Sequence, residues 1–170
     1  VTEPAAKPAS TTGGPPRIIR TAGRRLALML LYAWEQNRYV DDGGLMTSDE
    51  LLSEDPAAVA YGRELFAVVI ANRTPIDAAI DQRLDNWTIH RLAVADRAIL
   101  RLGAAEILYR ADTPPRVAIN EAIELGKLFG SDAKTAKLVN GVLDRLARDH
   151  RPDEVRPKAG GGTDVIAKQG

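Results

Sequence analysis

The chain has 170 residues, 45% of them hydrophobic and 27% charged, and its 23 basic and 23 acidic residues give a formal net charge of +0. That length supports one domain with a substantial buried core, and a balanced charge offers no bulk attraction to a polyanion, so the distribution of charge carries the information. With no cysteine, disulfide scaffolds, thiolate metal sites and cysteine nucleophiles are excluded, and two histidines as far apart as His90 and His150 argue against a histidine metal cluster.

Residues 1–16 are rich in Pro, Ala, Thr and Gly and hold no large apolar residue after Val1, so they cannot bury enough surface to offset chain entropy. They are predicted to be disordered, as are residues 151–170, leaving a folded part at 17–150. Arg17, Arg20, Arg24 and Arg25 precede and enter an apolar run over 26–34. The run is far shorter than the ~20 apolar residues a membrane span needs. No A-x-A-like cleavage site follows it, so a secretory signal is the weaker reading. An amphipathic first helix fits better, with Leu26, Leu30 and Ala33 on one face and the arginines toward its N-terminus. Cations there oppose the helix dipole at a cost of up to ~1 kcal/mol each. A polyanion would relieve that repulsion, so the cluster is a candidate phosphate-binding patch, weighed against a plain solvated basic face. Tyr32 and Trp34 follow, suited either to stacking on unpaired bases or to the core.

The stretch 41–55 is acidic without a basic residue and reads as a loop with a short helical segment, Thr47 and Glu50 fitting a capping box. Asp55-Pro56 supplies an N-cap and a first-turn proline for a helix to about Asn72, burying Leu65, Phe66, Val69 and Ile70. Thr74-Pro75 repeats that opening for a helix to about Leu84, with Ile76, Ile80 and Leu84 on one face. Residues 86–88 end it and 89–92 make a turn. Asp96 then lies in the first turn of a helix with Ile99, Leu102 and Leu108 as core candidates. His90 reads as a capping or packing residue rather than a catalytic one.

Residues 114–146 form two predicted helices joined by a polar loop. In the first, Ile119, Ile123 and Gly126 share a face beside Ala122, Leu125 and Phe129. Gly130 is placed as a left-handed C-cap. In the second, Val139, Leu143 and Leu146 repeat the spacing, as do Leu138, Val142 and Arg145, and Asn140-Gly141 reads as helix interior where a small residue allows close packing. Ser131 to Thr135, with Lys137 one turn on, is either an ordinary exposed connection or a second nucleic-acid contact. No phosphate-binding glycine loop is present, since Gly126-Lys127 lies within a helix. No stretch alternates at period two for long. The expectation is an all-α protein of about six or seven helices, not an enzyme, and without a cofactor.

The segments VAINEAIELGKLFG and LVNGVLDRL resemble the C-terminal signature of the NusB family of bacterial transcription antitermination factors. GRRLALMLLYAWEQ resembles its first helix, and the region with ID, NW and DRAILR resembles its middle, so the resemblance covers about 20–148. It implies an all-helical NusB-like fold of two small packed bundles in a cytoplasmic protein. It further implies binding to the boxA element of nascent RNA together with NusE, a small-subunit ribosomal protein, within the RNA polymerase antitermination complex of ribosomal RNA operons. By position, Arg20, Arg24 and Arg25 are then the arginine-rich RNA contact, extended by Arg17. Asp132, Lys134 and Lys137 form a second RNA-facing edge, while Tyr32 and Asp96 face NusE.

Three departures stand out. Thr21, Ala22 and Gly23 spread the arginines, the loop after Gly130 is one residue longer than is common, and Leu138 stands where the family has Phe in KFVNG. A second reading is therefore a helical adaptor that binds NusE with weak or no RNA selectivity. A third, the helical part of a ribosomal RNA cytosine methyltransferase, needs a catalytic cysteine and a Rossmann-like domain, and these 170 residues hold neither. A homodimer stays open, because an apolar helical face serves a core and an interface with the same spacing.

Overall fold

The structure is a computed structural model and describes residues 14–37 and 55–156. The acidic stretch with its Thr47–Glu50 capping box lies outside the described residues except for Asp55. Most of both predicted disordered ends lies outside them too. Seven α-helices are present among the described residues, α1 Arg17–Gln36, α2 Pro56–Ala71, α3 Arg73–Asp81, α4 Val94–Tyr109, α5 Pro115–Phe129, α6 Thr135–His150 and α7 Pro152–Val155, with a 3-10 turn Ile89–Arg91 and no strand. The all-α expectation holds.

Helix α4 is the axis of the fold. From Ala98 to Ile107 every one of its residues is buried, because α1, α2, α3, α5 and α6 all pack against it. Helices α1 and α2 pair closely on one side and α5 with α6 on the other. The result is two small helical groups sharing α4. Leu26, Leu30, Leu65 and Val69 fill the first group; Ala122, Val139, Leu143 and Leu146 fill the second.

Glycine sets the closest approach. A Cβ on Gly62 would stand 2.7 Å from the Gly23 carbonyl oxygen, and one on Gly23 would stand 2.9 Å from the Ala58 carbonyl oxygen. Real side chains do not fit at such distances, so α1 and α2 cross backbone against backbone. Gly141 has open space around its Cβ position, so the expected close packing there is absent. Gly130 is not a left-handed cap: its φ of −62° and ψ of 157° are open to any residue. Space requires it instead, since a Cβ would run into the Gly126 carbonyl and Thr135.

Asp55 caps α2 as its sequence predicts, accepting from the Ala57 N–H at 2.8 Å. The next boundary differs. Helix α3 opens at Arg73 rather than after Thr74, and Asn72 makes the break, with its side-chain amide donating to the Val68 carbonyl at 2.8 Å. Pro75 is tolerated in that first turn because N–H groups there have no intrahelical partner. Phe129 is 45% exposed rather than part of the core, and Ile70, Ile123 and Leu108 are only partly buried. His90 is exposed in the 3-10 turn rather than buried in the core.

Residues 151–156 do not continue as an unstructured tail. They turn into α7, where Val155 is buried, the Arg116 guanidinium donates to its carbonyl at 2.9 Å and Arg151 donates to the Thr113 carbonyl at 2.8 Å. No helix among the described residues is long and apolar enough to cross a membrane.

Candidate nucleic-acid interface

The arginines of α1 separate into different roles. Arg17 is 88% exposed and lies 3.5 Å from Glu121. Arg25 is exposed, and Arg20 is half-buried with its Nε donating to the Pro15 carbonyl at 2.8 Å. Arg24 is different. It is 2% exposed and donates through Nε to both oxygens of Glu106 at 3.0 Å, and through Nη2 to Oε1 at 2.7 Å. Glu106 is itself 2% exposed and also accepts from the Tyr61 hydroxyl at 3.2 Å. Arg24 lies 5.8 Å from the centre of the Tyr61 ring and 3.7 Å from Glu121. Arg24 is therefore not the surface contact that its place in the cluster implies: it ties α1 to α4 and is shielded from solvent. Burial works against its charge, but the hydrogen bonds and charge of Glu106 prevail and raise its pKa above the ordinary arginine value.

Tyr61 feels the same site in the opposite sense. Burial, and then the Glu106 charge, push its phenol above the usual tyrosine value near 10. The folded state thus holds the Tyr61 proton more tightly than the unfolded chain does. Its contribution is complete below pH ~10 and is lost as pH climbs from there through the raised folded value. Urea unfolding at pH ~9 and ~11 is expected to show this loss, and Tyr61→Phe should remove part of the difference. An identical alkaline loss in the variant would mean that other groups cause it.

The second predicted edge is built on a buried acid. Asp96, 6% exposed at the start of α4, accepts from the Ser131 N–H at 2.8 Å, the Ser131 hydroxyl at 2.5 Å and the Thr135 hydroxyl at 3.0 Å. It is not a surface residue for a partner to meet; it fastens the α5–α6 loop to α4. Asp132, Lys134 and Lys137 are exposed around that anchored loop, and Asp132 accepts from the Lys134 N–H at 2.6 Å. Lys134 and Lys137 thus crown the N-terminus of α6, whose first turn holds no acid.

The two edges are not neighbours. Arg24 meets Glu106 near the end of α4, whereas Glu35, near the end of α1, pairs with Arg97 and Arg101 near its beginning, so the two helices run antiparallel. The anchored loop, on Asp96, lies at the opposite end of α4 from Glu106. At 1.5 Å per residue the two buried anchors, Asp96 and Glu106, stand ~15 Å apart along the helix. Along the exposed side of α1, Arg25 is followed by Met29, 46% exposed, and Tyr32, 44% exposed, while Trp34 is buried. Of the two aromatic residues at this end of α1, Tyr32 is thus the one on the surface.

Sequence reasoning does not pick out the cavity beside the loop. It measures about 340 Å³ and is lined by Leu84, Trp87, Leu92 and Leu138 together with charged residues of the turn after α3, the start of α4, the α5–α6 loop and α6. Trp87, which in the sequence reads as part of a helix end and of the NW pair, is 56% exposed on its wall. No group of His, Asp and Glu among the described residues has the arrangement of a metal site.

Residues 21–148 match the model of the NusB family. The transcription antitermination protein NusB of Myxococcus xanthus is 42% identical over 132 residues, covering 75% of this chain and 94% of that protein. That of Shewanella oneidensis is 43% identical over 132 residues, covering 75% and 93%. The solved structure of T. maritima NusB superposes with a TM-score of 0.70 at 34% identity, over 80% of this chain and 95% of its own. A structure of the antitermination factors NusB and NusE in complex with dsRNA superposes with a TM-score of 0.70 at 28% identity, over 79% and 99%. By sequence and by fold, the chain belongs to the NusB family.

Proposed function

We propose that this chain is a transcription antitermination factor that binds boxA-type RNA of nascent ribosomal RNA transcripts jointly with NusE. In this reading it acts in the cytoplasm as a binding component of the RNA polymerase antitermination complex and carries out no catalytic step. Family membership carries the proposal, together with a relative whose structure holds NusB, NusE and dsRNA. The surface is consistent with it. Arg17, Arg20 and Arg25 present cations at one end of the molecule, Lys134 and Lys137 at the other, and Tyr32 stands exposed between them for NusE. Asp132 lies at the loop edge. Arg24 and Asp96 act from inside, holding those surfaces in place.

One RNA strand crossing both edges would meet cations at each end. Replacing Arg17 and Arg25 by Ala is then expected to lower RNA affinity and to flatten its salt dependence by ~0.7 log units for each phosphate no longer neutralised. Titrating labelled boxA and scrambled RNA over a range of salt, with and without NusE, provides the test. An unchanged slope would remove the α1 arginines from the RNA path. One observation favours the adaptor reading: Arg24 is consumed internally, leaving a thinner cationic surface than the four arginines promise. Tight NusE binding without discrimination between the two RNAs would establish that alternative.

A further inference from the structure

The cavity between the turn after α3 and the start of α6 has three features that point to a specific occupant. Its apolar part is Leu84, Leu92 and Leu138, with Trp87 presenting a largely exposed indole beside them. The backbone that carries that indole is held on both sides. Asn86, immediately before it, takes a left-handed φ of 60°, which asparagine tolerates better than most residues. Just beyond it the Ile89 N–H donates to the Asp81 carboxylate at 2.7 Å, and Ile89 is fully buried. The tryptophan is exposed on an anchored turn.

The charges of the lining cancel. Arg83, Lys134 and Arg145 face Asp85, Asp96 and Asp132. A phosphate has no net attraction there, whereas an uncharged planar ring with donors and acceptors on its edge suits the site. Polar capacity for such an edge remains. Arg83 does not supply it, because its Nη1 donates to the Ala79 carbonyl, its Nη2 donates to Asp149 and its Nε is shielded from solvent. Asp132 is exposed and able to accept from a base amino group. Asp96 is already committed to Ser131 and Thr135.

We infer that this cavity receives one unpaired base of the bound RNA, stacked on Trp87, and is the place where the chain reads sequence. The inference rests on the RNA-binding reading above and divides its labour. Exposed cations at the two edges hold phosphates, which carry no sequence information, and the neutral cavity reads a base edge. It also answers the change at Leu138. That residue lines the same cavity, so the aromatic surface missing from α6 is provided by Trp87.

The test compares the full chain with Trp87→Ala and Trp87→Phe on boxA RNA, on scrambled RNA, and on boxA RNAs carrying one abasic position each. Trp87→Ala is expected to lose roughly 5- to 100-fold on boxA RNA and far less on scrambled RNA, with the salt slope and thermal midpoint unchanged. Trp87→Phe should keep most of the affinity. One abasic position should reproduce the loss in the wild-type chain and add nothing to it in Trp87→Ala. Equal losses on both RNAs, or none on either, would overturn the inference while leaving RNA binding intact. So would a loss of NusE affinity in the absence of RNA, which would give the cavity to a protein side chain. A wild-type chain that does not distinguish the two RNAs would overturn the wider reading and this one with it.

Discussion

Arg24→Ala is expected to destabilise the chain by about 3–5 kcal/mol, the cost of leaving a buried charge without its partner. Glu106 is deprived of all its hydrogen bonds from the guanidinium and stays buried, with the Tyr61 hydroxyl as its remaining close donor. Arg25→Ala, one residue away and exposed, should change stability by no more than ~0.5 kcal/mol. Urea unfolding of the two variants separates the roles directly. Replacing both members of the pair by apolar residues, Arg24→Met with Glu106→Leu, should recover much of the loss, because a buried ion pair is worth little over good packing. An Arg24→Ala variant as stable as Arg25→Ala would mean that α1 is not held as described. The comparison also guards the RNA experiments: weak RNA binding by an Arg24 variant reports an unsettled α1, not a missing phosphate partner.

Asp96→Ala should cost about 1.5–3 kcal/mol, the range for hydrogen bonds to a charged acceptor. It removes the acceptor of the Ser131 N–H, the Ser131 hydroxyl and the Thr135 hydroxyl together. Faster amide exchange at Ser131 and a looser start of α6 should accompany the loss. RNA affinity should fall with it, since Lys134 rides on that loop. A partner-facing Asp96 behaves otherwise, weakening NusE binding with stability and Ser131 exchange unchanged.

Both cases show where a pattern in the chain stops being informative. The cluster Arg17, Arg20, Arg24 and Arg25 is visible at once, but periodicity treats its members alike. Only the fold brings Glu106, 82 residues on, against Arg24 and leaves Arg25 outside. Asp96 is recognisable as a first-turn acid, yet its ligands come from a loop 35 and 39 residues later. Local signals are more dependable. The α2 opening at Asp55-Pro56, the 3-10 turn and the two helices over 114–146 follow from capping chemistry and helical spacing, which need no distant partner. Gly130 and Gly141 mislead for one reason: whether a glycine serves conformation, close approach or neither depends on what lies opposite. Trp87 is visible in the chain as part of the NW pair, but its exposure is not, because an exposed and a buried tryptophan look the same in a sequence.

The backbone crossing of Gly23 and Gly62 has a thermodynamic consequence for the arginine end of α1. A helix seated on its neighbour without intervening side chains cannot roll or slide by a residue without collision. The directions of Arg17, Arg20 and Arg25 relative to one another are therefore settled before any RNA arrives. Their flexible stems still have to be ordered, but the helix that carries them does not. Association is spared that share of the entropy loss, so a small number of cations can act as a prearranged set where the same residues on a loose arm would not.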